Sequence, residues 1–232
     1  MNQNSIAIIT ARGGSKRIPK KNIKEFCGKP IIAYSIEAAL QSGLFSEVMV
    51  STDSTEIAEI AKAYGASVPF LRSAKTSDDF ATTSDVLMEV LENYKELGKE
   101  FQYMCCIYPT APFVTAQKLQ AAMELMKTEE PVSVLPVVPF SYPPQRCFVI
   151  DESQHMEYKF KEHYRSRSQD LEKWYHDTGQ FYMYHVGKYL ERNGVITEGI
   201  MPIIVPELEV QDIDTEVDWK LAELKYQMMI EK

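Results

Sequence analysis

Apolar positions along the chain alternate between short, near-continuous runs and stretches of helical spacing, and the order of the two kinds predicts the architecture. Ile6, Ala7, Ile8 and Ile9 form a first buried strand. Ile32, Ile36, Ala39 and Leu40 then recur at helical spacing behind Pro30, which belongs in a first helical turn, and Gly43 closes that helix. Val48 to Val50 make a short second strand. Asp53 with Glu56 three residues on resembles a capping box, and the helix it opens ends at Gly65.

The alternation continues to the middle of the chain. Val68 to Leu71 is read as another strand, followed by the hydroxyl-rich loop SAKTSDDFATTSD. From Asp85, the positions Val86, Leu87, Val90, Leu91, Tyr94 and Leu97 trace one helical face that Gly98 terminates. Tyr103 to Tyr108 is a buried strand, stopped by Pro109 and Pro112, which allow neither ladder nor helix. A helix from Ala116 to Lys127 behind a Thr115 cap leads to a strand from Val132 to Val138. Strand and helix in alternation predict an α/β domain: a mainly parallel sheet, right-handed crossovers, and helices on both faces.

Beyond Pro139 the rhythm breaks. Prolines 139, 143 and 144 crowd together, and Gln145 to Ile150 with Met156 to Phe160 suggest two short strands around a polar turn. Residues 140 to 175 are therefore expected to form an arm that protrudes from the sheet and docks on a second subunit, giving a homodimer. The strand pattern resumes at Gln180 to Val186 and Ile200 to Val205. Thr215 and Asp218 form a second capping box, opening a closing helix whose apolar stripe is Val217, Leu221, Leu224 and Met228. The whole chain, 1 to 232, is one domain with the arm inserted in it.

Charge narrows the partners. A formal net charge of -8 argues against nucleic acid and against an anionic membrane surface. Cys27, Cys105, Cys106 and Cys147 show neither metal-ligand nor redox-motif spacing and suit reduced thiols. With no secretory signal and no apolar run near membrane-spanning length, the expected compartment is the cytoplasm.

One stretch runs against the acidic average. ARGGSKRIPKKN, residues 11 to 22, follows the first strand and gathers Arg12, Lys16, Arg17, Lys20 and Lys21 around Gly13, Gly14 and Ser15. A strand feeding a glycine turn directs backbone N–H groups into one concavity, which with nearby cations suits a polyphosphate. The stretch matches neither the Walker nor the dinucleotide-binding fingerprint. A solvated cluster of lysines is the plain alternative, and the position directly after a strand weighs against it. Near the other end, Asp212 and Asp214 are two apart in an extended segment, so both can face one divalent cation. Asp214 could equally cap the final helix, and the two roles are compatible. The four histidines show no zinc-binding spacing, and no serine sits in a nucleophile elbow.

Together these segments resemble the cytidylyltransferases that activate nine-carbon acidic sugars, the CMP-sialic acid synthetase family. ARGGSKRIPKKN with GKPIIAYSI is similar to the family's nucleotide-binding signature. LRSAKTSDDFATTSD, YPTAP and DIDTEVD follow in the family's order, the last at its metal-binding acidic pair. The resemblance implies a three-layer, Rossmann-like nucleotidyltransferase fold of the GT-A-like kind and transfer of CMP from CTP to an acidic sugar, with release of pyrophosphate. It implies nucleotide contacts from Ala11, Arg12, Gly13, Gly14, Ser15, Lys16, Lys21, Asn22, Arg72 and Thr83. Among these, Arg12, Lys16 and Lys21 act on the phosphates. Asp212 and Asp214 hold magnesium, or manganese in its place. The sugar falls to Tyr108, Arg167, Phe181 and Tyr182, with Arg165 as the alternative to Arg167. Tyr108 replaces the family's usual glutamine, and DTGQFY its usual NGAFY, both on the sugar side. That pattern is most similar to the pseudaminic acid branch, whose product feeds bacterial surface or flagellar glycans; N-acetylneuraminate and legionaminic acid are the alternatives within the chemistry. A non-catalytic module that binds CTP or a sugar nucleotide is the alternative from another class.

Overall fold

A computed structural model describes residues 4 to 231. The central sheet is built from β1 (Ser5–Thr10), then, beyond the small hairpin β2 (Glu25–Phe26) and β3 (Lys29–Pro30), β4 (Glu47–Ser51) and β5 (Tyr103–Ile107). Beyond these lie β6 (Ser133–Pro139), the arm hairpin β7 (Phe148–Ile150) and β8 (Met156–Tyr158), and three further sheet strands: β9 (Tyr175–Asp177), β10 (Phe181–His185) and β11 (Ile200–Ile204). In space the order is β11-β6-β10-β5-β1-β4, with β9 also on β6. All pairings along this path are parallel except those of β10, which runs antiparallel to both β5 and β6, and β9 is likewise antiparallel to β6.

Alternation along β1 divides the core in two. Ala7 and Ile9 face α1 (Ile31–Ser42), α2 (Thr55–Ala63) and, beyond α3 (Thr83–Glu96), α4 (Ala116–Thr128). Ile6 and Ile8 face α3, through Leu87, Val90 and Tyr94, and α5 (Val186–Glu191), through Val186 and Tyr189. Cys105 and Cys106 are neighbours in β5 and point to opposite layers, both fully buried. Their pKa values are raised by burial, that of Cys106 to about 12, so they act as small apolar residues.

A third apolar cluster positions the functional end of the molecule. Phe26 packs edge-on against Tyr34, Trp219 and Tyr226, joining the β2–β3 hairpin to α1 and to the closing helix α6 (Glu216–Ile230). Ile18, the sole aliphatic residue between Arg12 and Lys21, is buried in this cluster. It ties the basic loop to the fold as a hydrophobic anchor.

The helix stops at Gly43, Gly65 and Gly98, the Thr115 cap and the Thr215–Asp218 capping box all hold as expected. Four features differ. Residues 68 to 71 form no strand; the chain makes only a bridge from Ser67 to Met49 before turning away. Helix α2 is capped by Ser54 and not Asp53. Helix α5, only six residues long, lies beneath the length at which periodicity is legible. On α6 the buried face is Trp219 and Ala222, with Tyr226 and Met229 packed beside them, whereas Val217, Leu221, Leu224 and Met228 are exposed. The aromatic cluster takes the wider ring-bearing face, which buries more area than the aliphatic stripe would.

Residues 140 to 174 leave the sheet at the end of β6 and return to it at β9, and Tyr175 already belongs to the sheet. The arm carries the isolated β7–β8 hairpin and exposes Phe148, Val149, Ile150, Met156 and Tyr164. No helix among the described residues is long and apolar enough to cross a membrane.

Candidate active site

The carboxyl ends of β1 and β5, with the chain that follows β4, frame a cleft of about 520 Å³. This is where an open α/β sheet places its ligand. Its walls are the basic loop (Arg12, Ser15, Lys16, Lys21, Asn22), the segment from Arg72 to the start of α3, and Tyr108 to Thr110.

The loop is shaped by two contacts that its own sequence does not announce. The Gly13 N–H donates to Asp53 Oδ1 at 2.7 Å, drawing the glycine against the start of α2. A Cβ at Gly13 would lie 3.2 Å from that of Ser54, a tight contact that favours glycine at this close approach; around Gly14 the space is open. Asn22 is buried and donates its amide to the Arg12 carbonyl at 2.8 Å, closing the loop from within. Ala11 is buried in the core and serves through its backbone, its N–H donating to Ser51 O.

Every cation of the loop has an anionic or carbonyl partner. Arg12 and Lys16 share the Asp79 carboxylate, Arg12 also donating to the Asp78 carbonyl. Lys20 pairs with Glu56. Arg17 pairs with Asp214 at 2.7 Å, and Lys21 donates to the Ile213 carbonyl at 2.7 Å with Asp214 3.6 Å away. The structure thus brings the DIDTEVD segment onto the basic loop from the far end of the chain. Ile213, between the two aspartates, is buried in the third cluster and fixes that segment's orientation.

Asp212 does not line the main cleft; it lines a smaller one of about 220 Å³ with His176, Glu207 and Lys225. Its carboxylate makes no hydrogen bond or ion pair found among the described residues. Two hard oxygen donors, one of them free, suit a divalent ion that draws the rest of its shell from water and phosphate. No cluster of three His, Cys, Asp or Glu that could enclose a metal by protein groups alone occurs among the described residues.

Arg72, one of the expected nucleotide contacts, is a buried one. It is 8% exposed, lines the cleft, and donates to Ser51 Oγ at 3.0 Å and to the Ser51 carbonyl at 2.6 Å. Burial pushes its pKa down, yet an arginine stays protonated at any working pH. It takes part in none of the ion pairs found among the described residues. A buried guanidinium in a cleft without a carboxylate partner favours an incoming anion.

At the other end, Tyr108 lines the cleft, and its hydroxyl lies 3.3 Å from Thr83 Oγ1 in the first turn of α3. Burial raises the Tyr108 pKa. Tyr182 packs its ring 5.4 Å from that of Tyr108 and donates to Asp177 Oδ2. Phe181, its neighbour in β10, must point to the opposite layer and is fully buried there. It belongs to the core and is not brought to the cleft. Arg167 lies on the arm, largely exposed and paired with Asp170 at 2.7 Å, outside this chain's cleft; Arg165 is likewise on the arm, over the Tyr164 ring. Asp53 and Asp79 have no local motif for these roles because each reaches the loop from another element, whereas the Asp177 carboxylate contacts Gly179 and Tyr182 within its own turn.

An α/β sheet with an anion-binding loop after its first strand and an acidic segment folded onto that loop defines a nucleotidyltransferase. The family model described as Cytidylyltransferase matches residues 6–220, and the chain belongs to that family. It is 41% identical over 225 residues, 97% of each chain, to the pseudaminic acid cytidylyltransferase of Campylobacter jejuni. It is 35% identical, over 94% of each chain, to the CMP-N,N'-diacetyllegionaminic acid synthase of Legionella pneumophila. Among solved structures, that of CMP:2-keto-3-deoxy-manno-octonic acid synthetase complexed with CTP superposes with a TM-score of 0.69 at 17% identity, covering 98% of this chain and 99% of the other. At that identity the likeness is one of fold.

Proposed function

We propose that this enzyme transfers CMP from CTP to pseudaminic acid, a nine-carbon α-keto acid sugar, with release of pyrophosphate. The observation that carries the choice of sugar is the full-length identity of 41% to an enzyme of that name. The anomeric oxygen attacks the α-phosphorus of CTP, forming the new P–O bond in line as the bond to the β-phosphate bridging oxygen breaks. Positioning and charge neutralisation carry most of such a reaction. Arg12, Lys16, Lys21 and the buried Arg72 supply the positive charge for the triphosphate. Asn22 and Asp53 hold the loop in shape, and the first turn of α3 adds its helix dipole. Asp212 and Asp214 would hold magnesium or manganese, which when bound offsets phosphate charge and lowers the pKa of an attacking hydroxyl.

The sugar end is formed by Tyr108 and Tyr182. The arm pairs with a second copy to make a homodimer, and Arg167 completes the neighbour's sugar site with a guanidinium suited to its carboxylate. The enzyme works in the cytoplasm, where CTP is made, and its product supplies surface or flagellar glycans. Pyrophosphate release from CTP with magnesium, compared across pseudaminic, legionaminic and N-acetylneuraminic acids, tests the acceptor. The highest kcat/KM is expected for pseudaminic acid; a preference for either of the others reassigns the sugar. CTP binding with no turnover on any of them supports a non-catalytic module instead. Sedimentation as a monomer at working concentration removes the dimer.

A further inference from the structure

Between β9 and β10 the chain slips: seven residues, Asp177 to Met183, run opposite four on β6, Val134 to Val137. The surplus forms a bulge at Thr178, Gly179 and Gln180, with Gly179 at φ +63°. Asp177 holds both ends of this bulge. Its Oδ1 accepts the Gly179 N–H at 2.8 Å, and its Oδ2 accepts the Tyr182 hydroxyl at 2.5 Å. The Thr178 hydroxyl donates to the Pro136 carbonyl, and the Gln180 carbonyl accepts the Tyr108 N–H, so the bulge is fastened to both neighbouring strands.

An ionised carboxylate can only accept. Tyr182 must therefore spend its single proton on Asp177, and its oxygen is left with lone pairs alone. Burial, reinforced by the same carboxylate, drives the Tyr182 pKa up and keeps the phenol protonated. We propose that Asp177 is a positioning residue for the sugar: by taking the Tyr182 proton it leaves the Tyr182 oxygen, beside the cleft-lining Tyr108, as an acceptor for N–H and O–H donors such as acylamido groups. The inference rests on the sugar-transfer reading above. It adds a reason for discrimination among sugars of one carbon skeleton, since a buried polar group left unpaired by the wrong substrate costs more than a missing apolar contact.

Asp177→Asn is the informative variant. The asparagine oxygen must still accept the Gly179 N–H, so its NH₂ group faces Tyr182 and donates to it; the tyrosine proton is then turned outward and the polarity reverses. Steady-state kinetics on Asp177→Asn, Tyr182→Phe and the double variant, with sugar and CTP varied in turn, read this. Expected is a rise of about tenfold in KM for the sugar in each single variant, the size of one hydrogen bond. KM for CTP should stay within about twofold, and the double variant should be no worse than Tyr182→Phe alone, because both remove one interaction. Multiplying effects in the double variant, an equal rise in KM for CTP, or an unchanged KM for the sugar each overturns the proposal. Should Asp177→Asn fail to fold, Tyr182→Phe decides alone, an unchanged sugar KM being the contrary result. Wild-type turnover with an unchanged KM in the variants removes this inference only, whereas wild-type inactivity on every sugar removes the reaction beneath it and the inference with it.

Discussion

Lys21 and Asp214 stand 3.6 Å apart, although one belongs to the loop after the first strand and the other to the turn before the last helix. Lys21 is mostly buried and also donates to the Ile213 carbonyl, so it joins the phosphate loop to the acidic segment. Lys21→Met keeps the aliphatic stem and removes the charge. It is expected to lower kcat/KM by about a hundredfold or more, the range for deleting one charge that stabilises a transition state, while changing the thermal midpoint by only a few degrees. A loss confined to stability, with kcat/KM retained in the folded fraction, would contradict the placement.

Asp53 shapes the basic loop through the backbone of Gly13. Asp53→Ala frees the Gly13 N–H and is expected to weaken CTP binding about three- to tenfold, consistent with one charge-assisted hydrogen bond. Asp53→Asn retains an acceptor oxygen and should bind within about twofold of wild type. Isothermal titration with CTP distinguishes the two; equal losses would mean that the carboxylate's charge and not its acceptor geometry is what matters.

Asp79 occupies Arg12 and Lys16, the two cations proposed for the triphosphate. Held by the Lys16 and Arg12 hydrogen bonds, its pKa lies below the ordinary carboxylate value, so it is an anion at neutral pH. Asp79→Asn is expected to tighten CTP about threefold at low salt, an effect that shrinks as ionic strength rises because the group is exposed. Weaker binding in the variant would show that Asp79 orients the loop rather than competing for it.

Two capping boxes give the acid limb of stability its shape. Asp85 and Asp218 are held below their ordinary value of 3.8, chiefly by hydrogen bonds from the Thr82 and Thr215 side chains. A depressed folded pKa stabilises above the unfolded value and is lost as pH falls through the folded one. Thermal melts of wild type, Asp85→Asn and Asp218→Asn should therefore differ most at neutral pH, begin to converge as the pH falls through about 3.8, and meet only once the depressed folded values are passed and the caps protonate. A gap that stays constant down to pH 2.5 would contradict this.

How far the sequence carried depended on how local each signal was. Helix caps at Thr115 and Thr215 and the glycine stops are written in residues within five positions of each other, and the β1 loop in one continuous run of twelve, so they were legible. The antiparallel insertion of β10 between β5 and β6 was not, because strand order depends on pairings more than forty residues apart. Asp53 looked like a helix cap because its spacing from Glu56 permits one; only the adjacency of β1 and β4 shows that it serves Gly13. The stripe on α6 had the right period but the wrong face, since the aromatic cluster around Phe26 outweighs it. Arg72 was legible as a nucleotide contact only through the family resemblance, and nothing in its neighbours foretold that Ser51 would hold it under the cleft.

The most direct test of the site is a crystal structure with CTP and a divalent cation. The expected result places the phosphates on Arg12 and Lys16 with Asp79 displaced, the metal between phosphate oxygens and Asp212 or Asp214, and the cytidine in the cleft lined by Arg72 and Thr83. Nucleotide bound elsewhere, with Arg12 and Lys16 still closed on Asp79, would contradict it.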